Sequence, residues 1–251
     1  MALDARVFPS TDALDIALGT FLFECSRDAI AARGCFVLAT SGGSLPPRLV
    51  AALAWAQGAG LALRTEAWRV FYADDRHVPL DHADCSHRAT LAALPQPPPA
   101  WWRAALHPIR PELPLAECAA AYEAELRGAL QASGGALDLV LLGMGPDGHT
   151  ASLFPGHALL GEAAAGGRLV APISDSPKPP AARVTLTLPA LCASRRVAFV
   201  VCGEAKAGVV GAIAAGTEEG RAFPAARVTG AEATVWFLDA AAGGALAAAA
   251  R

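Results

Sequence analysis

Asp147 and His149, in "DLVLLGMGPDGHTASLFPGH" (138–157), have types and a spacing suited to proton transfer. An imidazole changes charge near neutral pH, so it can take a proton from water and return it to a leaving group. A carboxylate two positions away can orient the ring or raise its basicity. Plainer readings stand beside these: a hydrogen-bonded structural histidine, and an aspartate closing an Asx-turn on its own backbone. The stretch also satisfies the G-x-G-x-x-G spacing of a dinucleotide site, through Gly143, Gly145 and Gly148 after an apolar run. Three features reject that reading. Asp147 places a carboxylate where a diphosphate would lie. The following segment meets Pro155-Gly156 after about one and a half turns, too soon for a dipole-bearing helix. The next strand-end acid, Asp175, comes about thirty positions on rather than about twenty. The glycines are better read as shaping a tight loop that presents Asp147 and His149 to a pocket.

Other loops carry anion chemistry. Ser41, Gly42, Gly43 and Ser44 would offer backbone N–H groups, hydroxyls and a helix N-terminus to a phosphate, and Ser44 also suits an N-cap. Asp74, Asp75 and Arg76 gather at a strand tip. Arg76 could clamp a phosphate while the acids bond sugar hydroxyls or hold the arginine, or all three could form a solvated ion-pair cluster. Lys206 sits in the first turn of a helix, where the dipole disfavours a cation unless an anion sits there too; otherwise it is a solvated lysine. Arg183 opens a strand after "SDSPKPP", a stiff segment in which three prolines and Lys178 would frame a pocket mouth. His77, His82 and His87 suggest a metal cluster, but no acidic ligand pattern completes it, so no metal is assigned.

These loops need strands to hold them. Strand patterns fall at 35–40, 68–74, 136–143, 168–174, 183–188, 195–203 and 234–239, several of them continuous apolar runs of the kind covered on both faces. Helical patterns run from the Ser10-Thr11-Asp12 cap cluster to about Arg33, then over Leu45–Gln57, Leu115–Ala132, Glu204–Ala215 and Ala240–Ala249. The alternation predicts a three-layer α/β/α fold with a mainly parallel, Rossmann-like sheet, and ligands at the carboxyl ends of its strands. The Pro-rich stretch 94–102 reads as a surface loop within one domain spanning 1–251.

The 251 residues can bury a sizeable core, and 54% are hydrophobic against 17% charged, which excludes a disordered class. A net charge of −3 without a long basic run argues against a nucleic-acid surface. Neither a secretory leader nor a membrane span is read, and six scattered cysteines without a C-x-x-C pair fit a reducing, cytoplasmic setting.

With the loops assembled, the chain resembles the 6-phosphogluconolactonase family, in the form found in animals. The segments that carry the likeness are "SGGSL", "DDRHVPLDHAD", "LLGMGPDGHTASLFPGHALL", "VAPISDSPKPPAARVTLTLPAL" and "GEAKA", in matching order from about residue 40 to 210. The resemblance implies a sugar-phosphate isomerase/deaminase-like fold and hydrolysis of 6-phospho-D-glucono-1,5-lactone in the oxidative pentose phosphate pathway. It also implies no cofactor and no catalytic metal; the chain is expected to be a monomer. The family's base falls on His149, its neighbouring carboxylate on Asp147, and its phosphate pattern on Ser41, Gly42, Gly43, Arg76 and Lys206. Two departures stand out. The family's Asp-Glu-Arg is Asp74-Asp75-Arg76 here, and its Ser-Thr/Asn-Tyr is Cys85-Ser86-His87. The alternative is an amino-sugar-phosphate deaminase or isomerase, but the deaminases carry "FNEP" where this chain has "SLFP" (152–155).

Overall fold

The computed structural model describes residues 3–161, 166–244 and 246. The strands are β1 (Asp4–Phe8), β2 (Phe36–Thr40), β3 (Trp68–Tyr72), β4 (Asp74–Arg76), β5 (Ala105–Leu106), β6 (Leu139–Leu142), β7 (Val170–Ile173), β8 (Arg183–Leu186), β9 (Arg196–Val201) and β10 (Ala233–Asp239). The helices are α1 (Thr11–Arg33), α2 (Leu45–Gly58), α3 (Ser86–Ala93), α4 (Leu115–Ala132), α5 (Leu188–Cys192), α6 (Ala207–Ala215), α7 (Glu218–Ala222) and α8 (Pro224–Arg227). Seven strands form one parallel sheet in the order β1-β10-β9-β6-β2-β3-β5. β4, β8 and β7 form a second, antiparallel sheet.

Side-chain alternation along the strands divides the core in two. Phe36 and Leu38 of β2, with Leu139 and Leu141 of β6, face the Leu14, Leu18 and Leu22 stripe of α1 and Leu49 and Leu53 of α2. Val37 and Ala39, with Val140 and Leu142, face Tyr122 and Leu126 of α4, Val210 of α6, and Val184 and Leu186 of β8. A strand buried on both faces reads as a continuous apolar run, which is why these strands are legible in the sequence. α1 begins where Ser10 accepts a hydrogen bond from the Ala13 N–H at 3.1 Å, and ends at Gly34.

The run 68–74 is not one strand. Ala73 donates its N–H to the Thr40 carbonyl, in the parallel sheet, while its own carbonyl accepts from the Leu186 N–H, in the antiparallel one. The chain therefore changes sheets at Ala73, and Asp74–Arg76 becomes β4. The patterns at 168–174 and 183–188 likewise become the antiparallel pair β7–β8, because the connection 174–182 carries no crossover helix. β1, the two-residue β5 and α3 were not expected from the sequence. The start of the expected 204–215 helix is a 3-10 turn, Glu204–Lys206, followed by α6. The helix expected over Ala240–Ala249 falls largely outside the described residues; 240–243 form turns.

β2 and β6 are neighbours, yet β2 leads toward β3 on one side and β6 toward β9 on the other. The loops leaving their carboxyl ends therefore part around a crevice, the usual ligand position in an open parallel sheet.

Candidate active site

That crevice is lined by Ser41–Ser44 from the loop after β2, Gly143–Pro146 and His149–Ala151 from the loop after β6, and Asp74, Arg76, Ser86, Arg183 and Lys206. Five separate stretches, read from the sequence as chemistry-bearing loops, thus reach one cleft. The two central ones are tied together at their roots: the Ser41 N–H donates to the Leu141 carbonyl at 3.0 Å.

The loop after β6 folds on itself. Gly145 donates to the His149 carbonyl, Gly148 donates to the Gly145 carbonyl, and the Thr150 hydroxyl donates to the Gly143 carbonyl at 2.8 Å. This winding turns the His149 ring back over Gly145. A β-carbon at 145 would lie 2.1 Å from Nδ1 and Cε1 of His149, so only glycine lets the ring lie there. Asp147 accepts from His149 Nδ1 through a very short contact. Lys178 Nζ stands 3.0 Å from Asp147 Oδ2 and 3.1 Å from His149 Nδ1. A carboxylate cannot donate, so Nδ1 carries the proton in its contact with Asp147, and the lysine then serves the other carboxylate oxygen. That tautomer leaves Nε2 with its lone pair and, among the described residues, no hydrogen-bond partner.

Burial pulls the His149 imidazole below its ordinary pKa of 6.5, against the upward pull of Asp147 and with help from the Lys178 charge. Burial would raise Asp147, but hydrogen bonds from His149 and Lys178 prevail and bring it down to about 2. At neutral pH the pair is therefore a neutral imidazole held by a carboxylate, the state a general base requires.

In the loop after β2, the Ser41 hydroxyl is buried and, among the described residues, has no hydrogen-bond partner, although it lines the cleft. Ser44 precedes α2 but sits in helical conformation (φ −81°, ψ −3°) with no side-chain cap bond, so the expected capping role is corrected: its hydroxyl is exposed beside the cleft instead. Arg76 is braced by Nη1 donating to the Asp84 carbonyl at 3.1 Å. Lys206 lies at the start of α6. Asp74, almost fully buried, accepts from the Ser152 hydroxyl at 2.6 Å and lies 3.8 Å from Arg183.

Asp75 does not line the cleft, and its assignment to substrate binding is corrected here. Successive residues of a strand point to opposite sides, so Asp74 facing the cleft turns Asp75 inward. Asp75 is fully buried, where Oδ1 accepts the N–H groups of Arg76 and Ser86 at 2.8 and 2.7 Å, and Oδ2 faces the Cys85 thiol at 3.6 Å. It ties the ends of loop 77–85 together. Arg183 does line the cleft, but most of its donors are engaged. Nε and Nη2 serve the carbonyls of Pro180, Lys178 and Pro179, and Nη1 donates to Ser152 Oγ. Its main work is to hold the Lys178 segment in place.

The three histidines considered for a metal go separate ways: His77 to the Leu113 carbonyl, His82 to Asp84, and His87 to the Tyr72 hydroxyl. Among the described residues, no group of three His, Cys, Asp or Glu could hold a metal ion. The sequence reading gave Lys178 only a place at the pocket mouth, and Ser152 and Phe154 no role. A lysine inside a run of prolines was the available signal for the first.

The fold and the cleft define an open parallel-sheet protein with a histidine–aspartate pair and a serine–glycine loop at its switch point. The family model described as glucosamine-6-phosphate isomerases/6-phosphogluconolactonase matches residues 9–236, and the chain belongs to this family. It is 44% identical over 249 residues to a human protein named 6-phosphogluconolactonase, covering 94% of this chain and 91% of the human one. A rat protein of the same name is 41% identical, with the same coverage. Among solved structures, 6-phosphogluconolactonase from Trypanosoma cruzi superposes with a TM-score of 0.78 at 26% identity, covering 98% of each chain. No helix among the described residues is long and apolar enough to cross a membrane.

Proposed function

We propose that the chain hydrolyses 6-phospho-D-glucono-1,5-lactone to 6-phospho-D-gluconate in the oxidative pentose phosphate pathway, as a single-domain cytoplasmic monomer without cofactor, metal or nucleic-acid partner. The observation that carries this reading is the unpartnered Nε2 of His149 sharing one cleft with Ser41–Ser44, Arg76 and Lys206. The names of relatives matched over nearly the whole chain support it. His149 takes a proton from water as the oxygen attacks the lactone carbonyl. The imidazolium, stabilised by Asp147, then returns the proton to the departing ring oxygen. Arg76, Lys206 and the Ser41–Ser44 loop hold the 6-phosphate at the far end of the sugar, supplying orientation and remote binding energy. A lactone reacts with water unaided, so no side-chain nucleophile is needed.

The test is acid release from the lactone, followed against spontaneous hydrolysis. His149→Ala is expected to lower kcat by at least about a hundredfold while leaving affinity for inorganic phosphate within about twofold. Deamination of glucosamine 6-phosphate without acceleration of lactone hydrolysis would overturn the assignment.

A further inference from the structure

The Nδ1 contact with Asp147 fixes one corner of the His149 ring, and one anchored corner leaves the ring plane free to swing. A second restraint is present. The Phe154 ring, 2% exposed, stacks on the imidazole with centroids 4.8 Å apart and planes 26° apart. The same ring carries Lys178 Nζ at 6.0 Å and the Arg183 guanidinium at 5.6 Å from its centroid. One aromatic ring therefore touches the imidazole, the lysine that shares Asp147, and the arginine that holds the lysine's segment. Phe154 is itself fixed by its own backbone and by that of Leu153. Leu153 exchanges backbone bonds with Thr150, and Phe154 accepts through its carbonyl from the His157 N–H. The bond of the Ser152 N–H to Thr185 Oγ1 anchors the segment to β8.

We propose that Phe154 is a positioning residue for the reaction: its ring face holds the plane of His149, and its attraction for Lys178 and Arg183 keeps the charged side of the site in register with that plane. Stacked and cation–π contacts of this geometry outlast simple apolar packing only while the ring is aromatic. Leucine at this position would fill much of the volume, and the Nδ1 contact and the Gly145 backbone on one side would then have to hold the ring without a stacking face. The substrate and reaction are those proposed above; the positioning of the ring does not depend on them.

The experiment compares Phe154→Leu with Phe154→Tyr, which keeps the aromatic face, and uses Phe154→Met in place of the leucine variant if that fails to fold. The direct readout is the imidazole Nδ1 proton of His149 in low-temperature proton NMR, assigned by its loss in His149→Gln. A short bond to a carboxylate shifts it far downfield, and a fixed ring slows its exchange. The parent and the tyrosine variant are expected to hold this signal, and the leucine variant to lose or broaden it at an unchanged fold. In the lactone assay, leucine is expected to lower kcat about tenfold with KM within about threefold, and tyrosine to restore most of it. An intact signal and parental kcat in the leucine or methionine variant would overturn the proposal while leaving lactone hydrolysis standing. A lost signal in a protein whose parent does not accelerate lactone hydrolysis would support the positioning role and overturn the functional reading instead.

Discussion

Asp75 and His149 make opposite use of burial. For His149 it favours the neutral form that the proposed base requires; for Asp75 it works against the carboxylate, whose pKa is raised to about 6 despite two backbone N–H donors. An acid raised from 3.8 to about 6 binds its proton more tightly in the folded chain. Its favourable contribution is complete below about pH 4 and is lost as pH rises through about 6. Asp75→Asn keeps an oxygen acceptor for Arg76 and Ser86 without the buried charge. It is expected to melt about 4–12 °C above the parent at pH 8, on the order of 2–3 kcal/mol by linkage, with the gap closing as pH falls below about 4. A lower melting point at pH 8 would mean that the N–H groups need the charge. At this scale the sequence was informative where a residue type alone decides the chemistry. His149, the Ser41–Ser44 loop, Arg76 and Lys206 all line the cleft, and Asp147 holds the His149 ring. The sequence reading set Asp75 beside Asp74 as a substrate contact and could not tell which way it faces, because orientation in a three-residue strand depends on register. Lys178 meets its partners across a long loop, so its contact leaves no local pattern.

At the scale of elements, the helix pair on one face of the sheet depends on a close approach that no periodicity records. α1 and α2 cross at Gly19, where a β-carbon would lie 2.4 Å from the Ala52 carbonyl oxygen and 2.9 Å from the Trp55 ring. Gly19→Ala would therefore force the helices apart. The strain, about 1–3 kcal/mol, exceeds the gain of about 1 kcal/mol that alanine brings to a helix interior. Gly128 in α4 has open space around it, so Gly128→Ala receives the helix gain alone. Thermal melts should thus move in opposite directions, down for Gly19→Ala and up for Gly128→Ala; a rise in both would show that α1 and α2 can separate at little cost. The long helices and doubly covered strands could be read from the sequence because each repeats its own period over many residues. The sheet change at Ala73 could not, since an apolar run looks the same on either side of it, and β5 is too short to show any period.

At the scale of the whole molecule, charge is distributed against the average. The chain carries a formal −3, yet among the described residues the charged side chains lining the cleft are Arg76, Arg183 and Lys206 against Asp74. A concave site with that excess draws a phosphate dianion toward an otherwise acidic protein, through a field that salt shortens to about 8–10 Å at physiological ionic strength. In the proposed reaction the dyad, by contrast, would act at contact distance on an uncharged carbonyl, where salt has little effect. The two ends of the site should therefore separate under ionic strength. Raising sodium chloride from 20 to 200 mM is expected to raise KM for the phosphorylated lactone by about three- to tenfold while kcat stays within about twofold. Unphosphorylated glucono-1,5-lactone should show a high KM that salt leaves flat, because its binding never used the cations. Lys206→Ala should bring the phosphorylated substrate part of the way to that behaviour. If both lactones respond to salt alike, the cations do not hold the phosphate, and the division of the cleft into an anion end and a proton-transfer end fails.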